Sequence, residues 1–237
     1  MRFHVLATDY DGTIAQDGIV APSTVTSLER LSASGRKLVL VTGRQLPDLR
    51  DAFSQLDLFD RVVAENGALL YRPGTREERL LTEPADEGLA ERLREKGVSP
   101  LSVGRSIMAT SEPNDRAISG AIRELGLELE IILNKGAVMV LPAGVTKATG
   151  LGAALLELGI SAHDAVGVGD AENDQVFLTM CGVGAAVANA LPALKDRCDL
   201  VLQGDHGAGV EELVERLLAD DLASLDTLTG AGAGRAR

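Results

Sequence analysis

Short apolar runs alternate along the chain with segments whose apolar residues recur every three or four positions. Phe3–Thr8, mostly apolar and of strand length, reads as a buried strand. Pro22–Ser34 has helical periodicity, with a proline at its start and Gly35 just past its end. Lys37–Thr42 (KLVLVT) reads as a second strand, Leu46–Leu56 as a helix and Arg61–Ala64 as a third strand. Strands without polar alternation, separated by helices, predict a parallel sheet covered by its crossover helices.

The rhythm then changes. Ala68–Tyr71, Arg79–Thr82, Ser106–Thr110, Leu127–Leu133 and Ala137–Leu141 read as short strands around helices at Asp86–Lys96 and Asn114–Leu125. Asn134-Lys135-Gly136 is a hairpin signal between the last two strands. After Pro142 the first rhythm returns, with a helix at Lys147–Leu158 closed by Gly159 and a strand at Asp164–Val168. A helix at Asn173–Met180, strands at Val183–Ala185 and Leu200–Leu202, and a helix at Gly209–Leu218 follow. The expectation is an α/β chain: a Rossmann-like parallel-sheet core over residues 1–68 and 142–221, interrupted at 69–141 by an inserted α+β unit with an antiparallel sheet. Residues 222–237 decay to Gly-Ala repeats. They are expected to form a flexible tail, a linker to a fused or partner domain, or a truncation point.

Chemistry concentrates at the predicted strand ends. Asp9-Tyr10-Asp11-Gly12-Thr13 follows the first strand. Side chains two apart in extended chain project to one side, so Asp9 and Asp11 are expected to converge beyond the strand, where open α/β sheets bind ligands. Thr42-Gly43-Arg44 ends the second strand with a hydroxyl and a glycine N–H suited to a phosphate oxygen. Lys147 opens the helix where the chain re-enters the core. Gly167-Val168-Gly169-Asp170-Ala171-Glu172-Asn173-Asp174 brings several carboxylates and an amide to another strand end. Hard oxygen ligands of this kind select magnesium. The glycines of that run do not make a dinucleotide fingerprint, because the third is absent and carboxylates would face the pyrophosphate; nor does the chain hold a GxxxxGK[ST] loop.

Composition narrows the partners. Of 237 residues, 45% are hydrophobic, enough for a substantial core. Aromatics are 3% with no Trp, which argues against stacking platforms for single-stranded nucleic acid. A formal net charge of −12 repels phosphate backbones and anionic lipid, so neither a nucleic acid nor a membrane is an expected partner. An anionic substrate then needs a metal or a few local cations. Cys181 and Cys198 have no zinc-ligand spacing and read as reduced thiols; His4, His163 and His206 are scattered. With no leader-like start and no run of about 20 apolar residues, a soluble, cytoplasmic setting is expected. His206 has no assigned role.

Taken together, these four segments in this order resemble the haloacid dehalogenase (HAD) superfamily. DYDGT resembles its first motif, Thr42 its second, Lys147 its third and GDAEND its fourth. The insert between the second and third motifs, with Glu65-Asn66-Gly67, is similar to the Cof-like branch, which includes sugar-phosphate phosphatases and archaeal phosphoglycolate phosphatases. The resemblance covers roughly Val5 to Leu218; Ala148 departs from the glycine usual after the lysine. It implies a phosphatase of a small phosphorylated metabolite, a sugar phosphate or phosphoglycolate. Asp9 is implied as the nucleophile forming an aspartyl-phosphate, and Asp11 as general acid and base. Mg²⁺ is implied at Asp9, the Asp11 carbonyl and Asp170, with Asp174 and Asn173 supporting the metal waters and Lys147. Thr42, Gly43 and Lys147 are implied as phosphate ligands. Arg44 and Asn66 are expected to line the site, and the insert is expected to act as a cap that sets specificity. Arg105, Ser111, Arg116 and Lys135 are cap residues that contact substrate or, more simply, face solvent. A phosphotransferase or mutase using the same intermediate is the alternative; a non-catalytic module is disfavoured because all four motifs are intact.

Overall fold

The computed structural model describes residues 1–134 and 136–225, with Asn134 described by its backbone alone. The chain opens with β1 (Val5–Thr8), then a small hairpin of β2 (Ala15–Gln16) and β3 (Ile19–Val20). Helix α1 (Pro22–Ala33), β4 (Lys37–Val41), α2 (Leu46–Ala52), β5 (Arg61–Ala64), β6 (Leu69–Arg72) and β7 (Glu77–Leu80) follow. Next come α3 (Glu87–Glu95), β8 (Ser102–Val103), β9 (Met108–Ser111), α4 (Asp115–Leu125), β10 (Leu129–Asn134) and β11 (Ala137–Pro142). The chain then runs through α5 (Lys147–Leu158), β12 (Ala165–Gly169), α6 (Gln175–Met180), β13 (Val183–Ala186), α7 (Pro192–Lys195), β14 (Leu200–Val201) and α8 (His206–Asp220).

Eight strands form one sheet in the order β14-β13-β12-β1-β4-β5-β6-β7. The first six are mutually parallel, β6 pairs antiparallel with β5, and β7 pairs antiparallel with β6. Every residue of β1 is buried, which is why its sequence, VLAT, shows no alternation. Helix α1 packs against α8, and α5 against α6. The α/β reading holds, with two corrections to its boundaries. Within residues 69–80, expected in the inserted unit, β6 pairs with β5 and β7 with β6, which extends the large sheet. An antiparallel hairpin reads alike in sequence whichever sheet it joins. At the other end, Leu222, expected in the tail, is buried in the core, and the Asp221 carboxylate accepts the Phe3 N–H. The rest of the expected tail, residues 226–237, lies outside the described residues.

The second sheet has the order β10-β11-β9-β8 and is antiparallel throughout. Alternation divides its residues between two neighbours. Met108, Val138 and Val140 pack with Leu89, Leu93, Ile118 and Ile122 of α3 and α4. Met139 and Leu141, one step out of phase, cluster instead with Ile107 and with Ala68 of the large-sheet unit. The small sheet therefore presents one face to its own helices and the other to the core.

Between β5 and β6 the backbone is forced. Glu65 and Asn66 both adopt left-handed φ, 52° and 55°, a conformation that costs roughly 1–2 kcal/mol per non-glycine residue. Gly67 follows at φ 110°, where a side chain would collide with the Thr146 carbonyl. Among the described residues no helix is long and apolar enough to cross a membrane.

Candidate active site

Strand register assembles the site. Thr8 pairs with Leu40 on one side and Val168 on the other, so β4, β1 and β12 end side by side at their carboxyl ends. Their following loops, 42–44, 9–13 and 170–174, open together at the position where such sheets bind ligands. Lys147 arrives from α5, whose start is fixed by a reciprocal cap: Thr149 N–H donates to Thr146 Oγ1 at 3.2 Å, and Thr146 N–H to Thr149 Oγ1 at 3.0 Å. The helix lies close because Gly150 faces Gly67; a Cβ on Gly150 would fall 2.6 Å from the Gly67 Cα.

Lys147 Nζ donates to Asp9 Oδ1 and to Asp174 Oδ1, each at 2.6 Å, with all three side chains buried. Asp174 Oδ2 accepts the N–H groups of Asp170 and Ala171 at 2.9 Å, which ties the loop to its own carboxylate. Gly169 leaves room for this, since a Cβ there would lie 2.7 Å from Asp174 Oδ2. The Thr13 hydroxyl sits 3.2 Å from both Asp9 Oδ2 and Asp170 Oδ1 and donates to one at a time.

Asp9, Asp170 and Asp174 each place a carboxylate oxygen within 4.8 Å of the others. Against them stands one ammonium, leaving a formal excess of two negative charges. Burial and the Asp174 carboxylate push the Asp9 carboxyl up, against the pull of Lys147. Burial disfavours the Lys147 charge, but Asp174 and Asp9 outweigh it and hold the ammonium above its ordinary value. Three buried hard oxygen donors crowded within 4.8 Å of one another fit a divalent cation.

The Asp11 carboxylate stands apart from that cluster and is half-exposed; Arg44 Nε and Nη2 grip it through a two-pronged pair at 2.7 Å each. The Arg44 guanidinium also lies over the Tyr10 ring. The Thr42 Oγ1 accepts the Arg44 N–H at 3.1 Å, leaving its own proton to donate elsewhere. Asn173 Nδ2 donates to Asn66 Oδ1 at 3.2 Å, and Asn173 Oδ1 is buried without a partner among the described residues.

Asp9, Asp11, Thr42, Gly43, Arg44, Lys147 and Asn173 line one cavity of about 230 Å³. Ala109, Ala137 and Met139 of the small sheet close its other side. Asn66 does not line it; it is buried behind Asn173. Arg105, Ser111 and Arg116 also lie away from it, Arg105 reaching Glu78 at 3.5 Å; Lys135 is outside the described residues. A larger hollow of about 490 Å³ beside Arg61 and Arg72 holds none of the site residues, so chemistry and not volume identifies the site. The Asn189 Nδ2 donates to the Gly12 carbonyl, and its Oδ1 accepts the His206 N–H, so His206 is tied by its backbone to the turn after Asp11. Cys181 and Cys198 are free thiols, both pushed up to about 12, chiefly by burial, and inert at neutral pH.

Thr13, Asn189 and Met139 were not singled out by the sequence reading. Thr13 lies inside the DYDGT motif and was available to it; the other two carry no local signal.

The haloacid dehalogenase-like hydrolase family model matches residues 6–113 and 131–214. A phosphoglycolate phosphatase of Methanothermobacter thermautotrophicus is 29% identical over 90% of this chain and 98% of its own length. One from Metallosphaera sedula is 31% identical over 91% and 99%. Among solved structures, a haloacid dehalogenase-like hydrolase from Bacteroides thetaiotaomicron superimposes with a TM-score of 0.78 at 18% identity, covering 91% of this chain and 99% of that one. Motif order, site geometry and these matches agree: the chain belongs to the haloacid dehalogenase-like hydrolases and is a phosphatase of that superfamily.

Proposed function

We propose that the protein is a magnesium-dependent phosphatase of a small phosphorylated metabolite, working through an aspartyl-phosphate on Asp9. The observation that carries the reading is the Asp9 carboxylate, buried at the end of the central strand with Lys147 Nζ at 2.6 Å and two further carboxylates beside it. Asp9 and Asp170 would hold the cation, with Asp174 supporting the loop and Lys147. When bound, the cation screens the repulsion between an anionic nucleophile and an anionic phosphate.

The residues divide the remaining work. An Asp9 carboxylate oxygen attacks phosphorus in line, and the bond from phosphorus to the leaving oxygen breaks. Asp11 gives that oxygen a proton, then takes one from the water that attacks the phosphorus of the acyl-phosphate and frees Asp9. In this structure Arg44 holds both Asp11 oxygens, so the pair has to open for Asp11 to carry the proton it gives. The Thr42 hydroxyl, the Gly43 N–H and Lys147 serve the equatorial phosphate oxygens, where negative charge accumulates.

The cavity favours a small leaving group. Its 230 Å³ falls below the roughly 300–1,000 Å³ of pockets for drug-sized ligands, and the small-sheet wall of Ala109, Ala137 and Met139 offers no side-chain donor to a sugar hydroxyl. The small volume supports phosphoglycolate, the substrate named for the relatives, over a hexose phosphate. Phosphate release from a metabolite panel, with magnesium or with EDTA, tests this, with Asp9→Asn as control. Magnesium-dependent release that disappears in the variant is expected. Near-wild-type turnover in Asp9→Asn would sink the nucleophile assignment, and phosphoryl transfer onto a sugar acceptor without release of free phosphate would make the enzyme a phosphotransferase.

A further inference from the structure

Glu65 takes no part in the steps above, yet it is completely buried, in a left-handed conformation that glutamate seldom adopts. Its carboxylate is held by backbone amides. Oε1 accepts the Arg105 N–H at 2.9 Å, and Oε2 accepts the N–H groups of Ser106 and Ile107 at 2.8 and 3.1 Å. All three donors belong to the turn between β8 and β9 of the small sheet, whereas Glu65 follows β5 of the large one. The turn is shaped around this carboxylate. A Cβ on Gly104 would fall 2.8 Å from each Glu65 oxygen, although nothing in the Gly104 backbone angle demands glycine.

On its other side the same residue is tied to the phosphate loop. Glu65 N–H donates to the Arg44 carbonyl at 2.9 Å, and Asn66 N–H to the Thr42 carbonyl at 3.0 Å. The turn it grips leads directly into β9, which carries Ala109 and pairs residue for residue with Ala137–Val140 of β11. Met139 of β11 thereby comes against Gly43, its Sδ within 3.5 Å of where a Cβ would stand.

We propose that Glu65 is a positioning residue that fixes the spacing between the phosphate loop at Thr42–Arg44 and the leaving-group wall at Ala109, Ala137 and Met139. One carboxylate, bonded through its backbone to the first and through its side chain to the strand that carries the second, sets the dimension of the cavity and hence the leaving-group size the enzyme selects. The inference rests on reading that cavity as the active site.

Two substitutions loosen this contact from opposite sides without touching a residue that faces phosphate. Glu65→Gln keeps the side-chain volume but turns an NH₂ toward an amide donor, and Gly104→Ala pushes against the carboxylate from the small sheet. A misplacement of about 1 Å costs on the order of 100-fold in rate. The expected result is a drop of about 10- to 100-fold in kcat/KM for phosphoglycolate, with p-nitrophenyl phosphate falling less than about threefold. The ratio between the two therefore shifts in both variants. Hydrogen exchange in Glu65→Gln should show lost protection at the Arg105, Ser106 and Ile107 amides. An equal loss with both phosphoesters, which a purely structural role would give, or an unchanged ratio in a folded variant, overturns the proposal. Should Glu65→Gln fail to fold, Gly104→Ala carries the same comparison. Wild-type protein without phosphatase activity would refute the proposed function instead; the exchange measurement still decides whether Glu65 holds the turn.

Discussion

Replacing Lys147 by Met keeps the aliphatic stem and removes the ammonium that bridges two buried carboxylates. At an effective dielectric of about 20, each 2.6 Å contact is worth about 6 kcal/mol of Coulomb energy. Desolvating the ammonium takes back much of this, and breaking a buried pair from one side costs about 3–5 kcal/mol net. For a protein of this size, about 2–4 °C per kcal/mol converts that to a fall in Tm of about 6–20 °C in metal-free buffer. Magnesium should raise the Tm of Lys147→Met by more than that of the wild type, because the variant carries the larger uncompensated charge. Catalytically, losing one donor to a transition-state oxyanion costs about 100- to 1,000-fold in kcat. Differential scanning fluorimetry with and without magnesium, paired with phosphate release, measures both effects. A Tm within about 2 °C of wild type, together with kinetics unchanged within threefold, would refute the reasoning and remove Lys147 from the site.

Three further outcomes follow from the geometry. Gly150→Ala places a methyl 2.6 Å from the Gly67 Cα; overpacking of this kind costs about 1–3 kcal/mol, and an unchanged melting curve would show that α5 shifts freely. Glu157 accepts from Arg72 Nε and Nη2 and from Arg61 Nε, each at 2.8 Å, with Arg79 at 3.0 Å, and these pairs, that with Arg72 foremost, hold its carboxyl down to about 2. A depressed carboxyl stabilises above its ordinary range and loses that contribution as pH falls, so Glu157→Gln should cost about 2 kcal/mol at neutral pH. The gap should shrink between pH about 4.5 and about 2 in urea titrations; a gap that widens on acidification has the wrong sign. Met139→Ala enlarges the cavity on the leaving-group side, and the ratio of hexose-phosphate to phosphoglycolate kcat/KM should rise by about tenfold, one lost side-chain contact being worth about 1–3 kcal/mol; an unchanged ratio would mean Met139 does not bound the substrate.

What could be read from the sequence was what a local pattern encodes. β1, β4, β5 and β12 appear as buried apolar runs because central parallel strands have no solvent face. The residues at their ends, Asp9, Thr42 and Asp170, could then be placed by topology alone. Lys147 was legible only through its position, at the start of a helix re-entering the core. The pairing of Arg44 with Asp11 was hidden, since thirty-three positions separate them and either side chain could have faced substrate. Glu65 was hidden more deeply: its partners are backbone amides, which every residue has and no sequence advertises. The hairpin at 69–80 went to the wrong sheet because edge pairing depends on which neighbour is within reach, not on composition.

The strand order carries a consequence for synthesis. β1, the strand that leads into Asp9, is made first and acquires β4 early. Its other neighbour, β12, lies about 120 residues beyond the end of β4. At roughly 5–20 residues per second, β1 waits on the order of 6–25 s on the ribosome with one side unpaired. An exposed apolar strand edge invites pairing with other chains. The small-sheet unit is translated during that interval, so the nascent chain should depend on holdase protection most while residues 81–164 emerge, and β1 should gain its second neighbour only once β12 is made, with β13 and β14 still to follow.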